Sequence, residues 1–82
     1  MKNIYVGNLD FATTQHQVRT LFEPYGTVQT VTVAMDRGTG RSRGFAFVEM
    51  TDDAEADTAM KALDRTLFGE RPLNINEARP RK

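Results

Sequence analysis

Two phenylalanines occupy the polar face of a predicted strand. Residues 43–50 read RGFAFVEM, and alternation with a period of two puts Phe45, Phe47 and Glu49 on the same side of that strand. Because Glu49 carries a carboxylate, this side should face water, where burial does not explain two large rings. The two rings are therefore candidates for contact with a partner molecule.

A third aromatic residue is exposed in the same way near the start of the chain. Residues 3–7 form a short strand pattern, with Ile4 and Val6 on one side and Tyr5 on the other. Large apolar side chains that cluster on an open surface usually mark a binding site. Tyr5 and the two phenylalanines would form such a cluster if their strands were adjacent, so the predicted topology decides whether a site exists.

The order of the elements makes those two strands neighbours. Thr14 and Gln17 fit a helix capping box, and Asp52 with Glu55 suits the start of a second helix. The patterns predict strands over 3–7, 28–35, 44–50 and around 73–76, and helices over about 15–24 and from Asp52 to Leu63. Two β-α-β units with right-handed crossovers then give an α+β, ferredoxin-like βαββαβ sandwich. It has a four-stranded antiparallel sheet, two helices on one face, and the first and third strands in the middle.

The opposite sheet face and the helix stripes supply the predicted core. Its sheet residues are Ile4, Val6, Val31, Val33, Ala46, Val48, Met50, Leu73 and Ile75, and its helix residues are Val18, Leu21, Phe22, Ala56, Ala59, Met60 and Leu63. These apolar positions recur every two residues in the strands and at helical spacing in the helices. The helix stripes are therefore interpreted as core and not as a cofactor site, and His16 as an exposed residue without a role.

Composition limits the chemistry that this chain can perform. It has 82 residues, no cysteine and one histidine, which suits one domain and leaves no disulfide or zinc centre. No apolar run reaches the length of a membrane span, and the strand pattern begins too early for a signal peptide, so we expect a cytoplasmic protein. Nothing combines a base, a nucleophile and an oxyanion donor. We therefore expect no enzyme activity, cofactor, metal or small-molecule substrate.

The charges are balanced in number but not in position. Eleven basic residues match eleven acidic ones, which argues against a protein that wraps a nucleic-acid duplex. Arg37, Arg41 and Arg43 nevertheless lie together without an intervening acid, and residues 79–82 add a basic tail, while acids collect over 52–57. The pattern predicts one basic side of the molecule.

Two separate motifs give the chain a family resemblance. Residues 43–50 match the RNP1 signature at seven of eight positions, and residues 4–9, IYVGNL, match the shorter RNP2 signature. The chain therefore resembles the RNA recognition motif family, and it is most similar to small single-domain bacterial RNA-binding proteins of the cyanobacterial type. The resemblance implies one such domain over residues 1–78, followed by a short basic tail over 79–82.

The family's mechanism implies a role for each matching residue. By this resemblance, Tyr5 and Phe47 stack beneath two successive bases of a single RNA strand, and Phe45 packs against the sugars between them. Arg43 would contact a phosphate, and Arg41 and Arg79 are further candidates for phosphate contact. Candidates for contact with base edges are Asn3, Thr32, Glu49, Asn74 and Asn76 on the sheet and the backbone of Ala78 beside it.

The chain departs from the family pattern at two positions. Met50 replaces the usual aromatic residue at the last RNP1 position, but its parity points to the core, so we expect stacking to be unaffected. Ala34 is small for a base contact, which favours a footprint of about two to four nucleotides.

We expect a monomer. Single-stranded DNA remains open as a partner, and the alternative function is a variant of the same fold that recruits a peptide.

Overall fold

The computed structural model describes residues 2–40, 42–69 and 71–78, with the backbone alone for residues 42 and 43. Its regular elements follow the predicted order, with a short hairpin added before the last strand. They are β1 (Lys2–Gly7), α1 (Gln15–Phe22), a 3₁₀ turn (Glu23–Tyr25), β2 (Val28–Met35), β3 (Ser42–Met50), α2 (Asp53–Leu63), β4 (Leu67–Phe68), β5 (Arg71–Pro72) and β6 (Asn74–Ala78).

The main sheet has four antiparallel strands in the order β2, β3, β1, β6. β1 and β3 are therefore the central pair, and their register places Tyr5 directly opposite Phe47. Both α-helices pack against the same side of the sheet and leave the other side uncovered within the described ranges. The predicted βαββαβ sandwich is confirmed.

The core lies between the helices and the sheet. Ile4, Val6, Ala46, Val48 and Met50 are fully buried there, as their alternation predicts. Fifteen apolar residues form one buried cluster, namely Ile4, Val6, Leu9, Val18, Phe22, Val28, Val31, Ala46, Val48, Met50, Ala56, Ala59, Leu63, Leu73 and Ile75. The predicted core residues Leu21, Val33 and Met60 pack against this cluster but are only partly buried. Val33 is more open because β2 is an edge strand whose pairing with β3 shifts register after that residue.

Both helices begin at the predicted caps. The Thr14 hydroxyl accepts a hydrogen bond from the Gln17 N–H at 3.2 Å, and the Thr14 N–H donates to Gln17 Oε1 at 2.9 Å. The Asp52 carboxylate accepts from the N–H groups of Ala54 and Glu55. These bonds satisfy donors that the first helical turn leaves free. Neither helix, at 8 and 11 residues, is long and apolar enough to cross a bilayer, and the described chain contains no other candidate.

The segment between α2 and β6 differs from the prediction. Leu67 and Phe68 pair with Pro72 and Arg71 in a short hairpin whose turn includes Gly69 at φ +61°. The sequence predicted a turn here but no strands, because pairs of two residues are too short to show a period. Leu73 is buried as expected yet precedes the final strand, since its backbone bonds to Arg65 and Thr66 instead of β1.

Candidate nucleic-acid interface

The uncovered face of the sheet arranges its side chains in three rows that run across the strands. Strand pairing defines the ring row as Thr32, Phe47, Tyr5 and Asn76, and the acceptor row on one side of it as Thr30, Glu49, Asn3 and Ala78. On its other side lies a row of Phe45, Gly7 and Asn74. Except for Ala78, each of these residues is next to a core residue in its strand, so these residues belong to the face away from the helices.

The three aromatic side chains form one cluster on that face. The ring centroids of Tyr5 and Phe45 are 6.0 Å apart with an interplanar angle of 27°, and those of Tyr5 and Phe47 are 5.9 Å apart at 64°. Phe45 and Phe47 are also 5.9 Å apart, at 82°. All three are half-buried, because each ring covers part of its neighbours and none is covered by a helix. We call these three side chains the ring cluster.

Two glycines lie next to residues of the ring cluster in the sheet. A Cβ atom on Gly7 would lie 2.6 Å from Tyr5 Oη and 2.7 Å from Tyr5 Cε2, so the Tyr5 ring rests directly on the Gly7 backbone. Gly44 precedes Phe45 at φ +94°, a conformation that side chains other than glycine rarely adopt. The Gly44 carbonyl accepts from the Leu9 N–H at 2.9 Å, which joins the beginning of β3 to the end of β1. Gly7 thus supports the Tyr5 ring, and Gly44 allows the backbone conformation that precedes Phe45.

The predicted base-edge residues surround the ring cluster. Thr32 and the two asparagines of β6 are exposed at opposite ends of the rows, and Asn76 Nδ2 donates to Asn74 Oδ1 at 3.1 Å. Asn3 and Glu49 are half-buried and directly paired across the central strands. The structure thus brings these predicted residues, and the backbone of Ala78, onto the face of the ring cluster. Their contacts with a ligand remain predictions.

One polar atom on this face lacks a partner. Asn3 Oδ1 is buried from solvent and receives no hydrogen bond from the described residues. Buried acceptors are nearly always satisfied in folded proteins, so an exception calls for a specific explanation. The sequence identified Asn3 as a base-edge candidate but gave no sign that its oxygen would be unpaired, since that depends on tertiary packing.

Lys2 is next to Asn3 in the sequence, but its charged group lies on the helix side of the sheet. Lys2 Nζ donates to Asp57 Oδ1 at 2.6 Å and lies 3.6 Å from Glu77 Oε1, both on the helix side of the sheet. The hydrogen bond to Asp57 raises the pKa of Lys2 above its ordinary value of 10.5. The Lys2 charge therefore stabilises the fold and does not belong to the face of the ring cluster.

The side chains of all three residues predicted to contact phosphate lie outside the described part of the structure. Arg41 and Arg79 lie outside the described residues, and the side chain of Arg43 is outside them as well, although its backbone belongs to β3. Arg37 is exposed in the loop after β2, where Asp36 Oδ1 accepts from the Gly38 N–H and orders the turn. The phosphate contacts therefore stay predictions from the sequence.

A second apolar surface, which the sequence did not predict, lies beside the edge strand. Phe11 and Met35 are 56% and 52% exposed, and both line a groove of about 860 Å³ between β2 and the loop before α1. Thr32 of the ring row also lines this groove, whereas Tyr5, Phe45 and Phe47 do not. The sequence did not identify Phe11 as exposed because it lies in a loop, where no periodic pattern separates exposed from buried positions.

The fold and the ring cluster together define a class of protein. An open four-stranded sheet that presents aromatic side chains, with its helices on the opposite face, is the arrangement on which single-stranded RNA-binding domains stack bases. The family model described as the RNA recognition motif matches residues 4–74. The chain belongs to the RNA recognition motif family, and the resemblance stated from the sequence is confirmed.

Individual relatives agree over nearly the whole chain. RbpD of Nostoc sp., a protein whose name refers to RNA binding, is 47% identical over 79 residues, which cover 96% of this chain and 84% of that protein. The crystal structure of RNA Binding Protein PG1 has a TM-score of 0.94 and 43% identity, covering 100% of this chain and 99% of the other. The RRM of Rna15 with bound RNA (GU) has a TM-score of 0.85 and 29% identity, over 93% and 81% of the two chains.

Proposed function

We propose that this protein binds short stretches of single-stranded RNA on the ring cluster. The observation that carries the proposal is the contact among Tyr5, Phe45 and Phe47 on the uncovered sheet face, with centroids 5.9–6.0 Å apart. Membership of the RNA recognition motif family supports it, as do a relative named for RNA binding and a similar domain solved with bound RNA.

The proposed mechanism is stacking of bases on Tyr5 and Phe47, with Phe45 against the intervening sugars. Stacking on an aromatic ring contributes about 1–3 kcal/mol per base and tolerates any sequence, because every base has a π-face. The ring cluster is already assembled through contacts among its own members, so little side-chain freedom is lost when a base arrives. The rings then supply most of the affinity of a chain without net charge.

The surrounding polar groups would position the strand. In the proposal, Thr32, Asn74 and Asn76 contact base edges at the two sides of the ring cluster, with the Ala78 backbone beside them, and Arg41, Arg43 and Arg79 contact phosphates. Two stacked bases with one flanking nucleotide on each side agree with the expected footprint of about two to four nucleotides. Single-stranded DNA would bind more weakly wherever a 2′-hydroxyl makes a hydrogen bond.

A short, largely sequence-tolerant footprint suits an RNA chaperone or a post-transcriptional regulator, and we propose a non-catalytic role of that kind. The peptide-recruiting alternative receives less support, because α1 has no acidic residue in its first turn and the rings are present. A monomeric state and a cytoplasmic location stay predictions.

The proposal can be tested by titrating the ¹⁵N-labelled full chain with a pool of randomised RNA tetramers and pentamers. We expect amide shifts to concentrate on β1 and β3 and to spread to β2 and β6, with the helices unaffected. Shifts confined to α1 or to the groove beside Phe11 would contradict the proposal. The same titration with the matching DNA pool compares the two nucleic acids.

A further inference from the structure

The acceptor row places the hydrogen-bond acceptors of Asn3 and Glu49 beside one end of the ring cluster. Asn3 on β1 pairs directly with Glu49 on β3 and with Ala78 on β6. Cβ atoms at directly paired positions are about 4.5–5.5 Å apart, so both side chains lie within reach of a single planar ligand. Asn3 precedes Tyr5 by two residues, and Glu49 follows Phe47 by two. A base stacked on either ring therefore has one edge next to the acceptor row.

The oxygen atoms of this row lack donors among the described side chains. Asn3 Oδ1 is buried and receives no hydrogen bond from the described residues, and a buried acceptor without a partner destabilises the fold. Glu49 is half-buried and adds two carboxylate oxygens, which accept but do not donate. The neighbouring Lys2 is engaged by Asp57 on the other side of the sheet. A ligand that donates several hydrogen bonds would satisfy the Glu49 oxygens directly, and would satisfy Asn3 Oδ1 once the Asn3 side chain rotates toward the open face.

Only one of the four RNA bases presents a row of donors on its Watson–Crick edge. Guanine offers N1–H and the two hydrogens of its N2 amino group side by side. Adenine and cytosine each combine one amino group with an acceptor nitrogen, and uracil places a single N3–H between two carbonyl oxygens. A cluster of acceptors therefore accommodates guanine and repels the lone pairs of the other three bases.

We propose that Asn3 and Glu49 form a guanine-selective subsite at the edge of the ring cluster. The Glu49 carboxylate accepts from N1–H and from one N2 hydrogen, and Asn3 Oδ1 accepts from the other after the Asn3 side chain rotates toward the open face. This inference rests on the proposed function, since it requires the base to be stacked on Tyr5 or Phe47. It adds a sequence preference to a surface whose stacking alone has none.

The test measures the binding of labelled RNA pentamers by fluorescence anisotropy. The series is UUUUU with a single guanine, adenine, cytosine or inosine placed in turn at each position. At one position we expect guanine to bind about tenfold more tightly than adenine, cytosine or uracil, within the discrimination of one bidentate pair. Inosine lacks the N2 amino group, so it should lose most of that preference.

Variants of Glu49 and Asn3, with a matched control, test whether these two residues cause the guanine preference. Glu49→Gln replaces an acceptor oxygen by a donor and should abolish the guanine preference. Asn3→Ala should reduce the preference and serves as the second variant if Glu49→Gln does not fold. Glu77→Gln, the same chemical change on the helix side beside Lys2, should retain it.

Three outcomes would overturn the inference. If the bases bind equally while Tyr5→Ala still weakens every pentamer, stacking stands and guanine selection fails. If the preference survives both Glu49→Gln and Asn3→Ala, guanine is recognised elsewhere. If Tyr5→Ala leaves all pentamers unaffected, the proposed function fails together with this inference.

Discussion

Tyr5 and Phe47 occupy directly opposite positions on β1 and β3, and their ring centroids are 5.9 Å apart at an interplanar angle of 64°. The residues on either side of each, Ile4 and Val6 on one strand and Ala46 and Val48 on the other, are fully buried. The same alternation therefore builds the core and holds the rings on the open face. Removing a ring should affect binding far more than folding.

The first prediction concerns removal of the stacking rings. Phe47→Ala and Tyr5→Ala should each weaken binding of a short single-stranded RNA more than about tenfold, because each removes a stack worth about 1–3 kcal/mol. Fluorescence polarisation measures the affinity, and circular dichroism of the same samples checks the fold.

Phe11→Ala is the matched control for these two variants. Phe11 is 56% exposed and lines the groove beside β2, whose lining does not include Tyr5, Phe45 or Phe47. Its removal should change RNA affinity less than about twofold if stacking is confined to the ring cluster. An equal loss in Phe11→Ala and Phe47→Ala would mean that exposed rings matter without regard to position, and the stacking model would fail.

The second prediction tests the support of Tyr5 by Gly7. A Cβ atom at Gly7 would approach the Tyr5 ring to 2.6–2.9 Å, so Gly7→Ala must displace that ring. We expect weaker RNA binding but a free energy of unfolding within about 1 kcal/mol of the parent, since the Gly7 backbone suits alanine. In a double-mutant cycle, Tyr5→Ala/Gly7→Ala should bind like Tyr5→Ala alone. A further loss in the double variant would show that Gly7 acts independently of Tyr5.

The third prediction concerns the salt dependence of binding. With about two to four phosphate contacts, the slope of log K against log salt should lie between about −1.4 and −2.8, at about −0.7 per contact on single strands. Arg43→Gln should make the slope shallower by about 0.7. Arg19→Gln is the control, since Arg19 Nη1 donates to the Val28 carbonyl from the helix side. A parent slope near about −7 would instead indicate a far more extensive basic surface than the sequence predicts.

Much of the ring cluster was predictable because its signal is local. The period of two separates Phe45, Phe47 and Glu49 from the buried residues between them, and the helix caps at Thr14 and Asp52 mark where each crossover begins. Together with right-handed crossovers, those two facts place β1 beside β3. The structure confirms that adjacency and the mutual contact of the three rings.

The features that the sequence did not predict depend on pairing register and tertiary packing. The partner of each residue across a strand cannot be derived from its own alternation, so the acceptor row and the unpaired Asn3 oxygen became visible only in the structure. The β4–β5 hairpin is too short to show a period. Val33 has the parity of a core residue, but its position on an edge strand leaves it partly open.

The last prediction concerns stability at high pH. Lys2 has its pKa raised above 10.5 in the folded state by the hydrogen bond to Asp57, so the folded protein retains that proton more strongly than the unfolded chain. The resulting stabilisation should be complete below pH 10.5 and should disappear as the pH rises through the folded-state pKa. Urea unfolding of the parent and of Lys2→Met should be measured from pH 7 to pH 12. The difference between their free energies of unfolding should be constant up to about pH 10.5 and should shrink above it.

Lys61→Met controls for the loss of a surface charge, because Lys61 is exposed in the last turn of α2. The difference in free energy of unfolding between this variant and the parent should not show the same decline. A difference for Lys2→Met that stays constant to pH 12 would mean that Lys2 contributes through its aliphatic chain and not through its ion pair with Asp57.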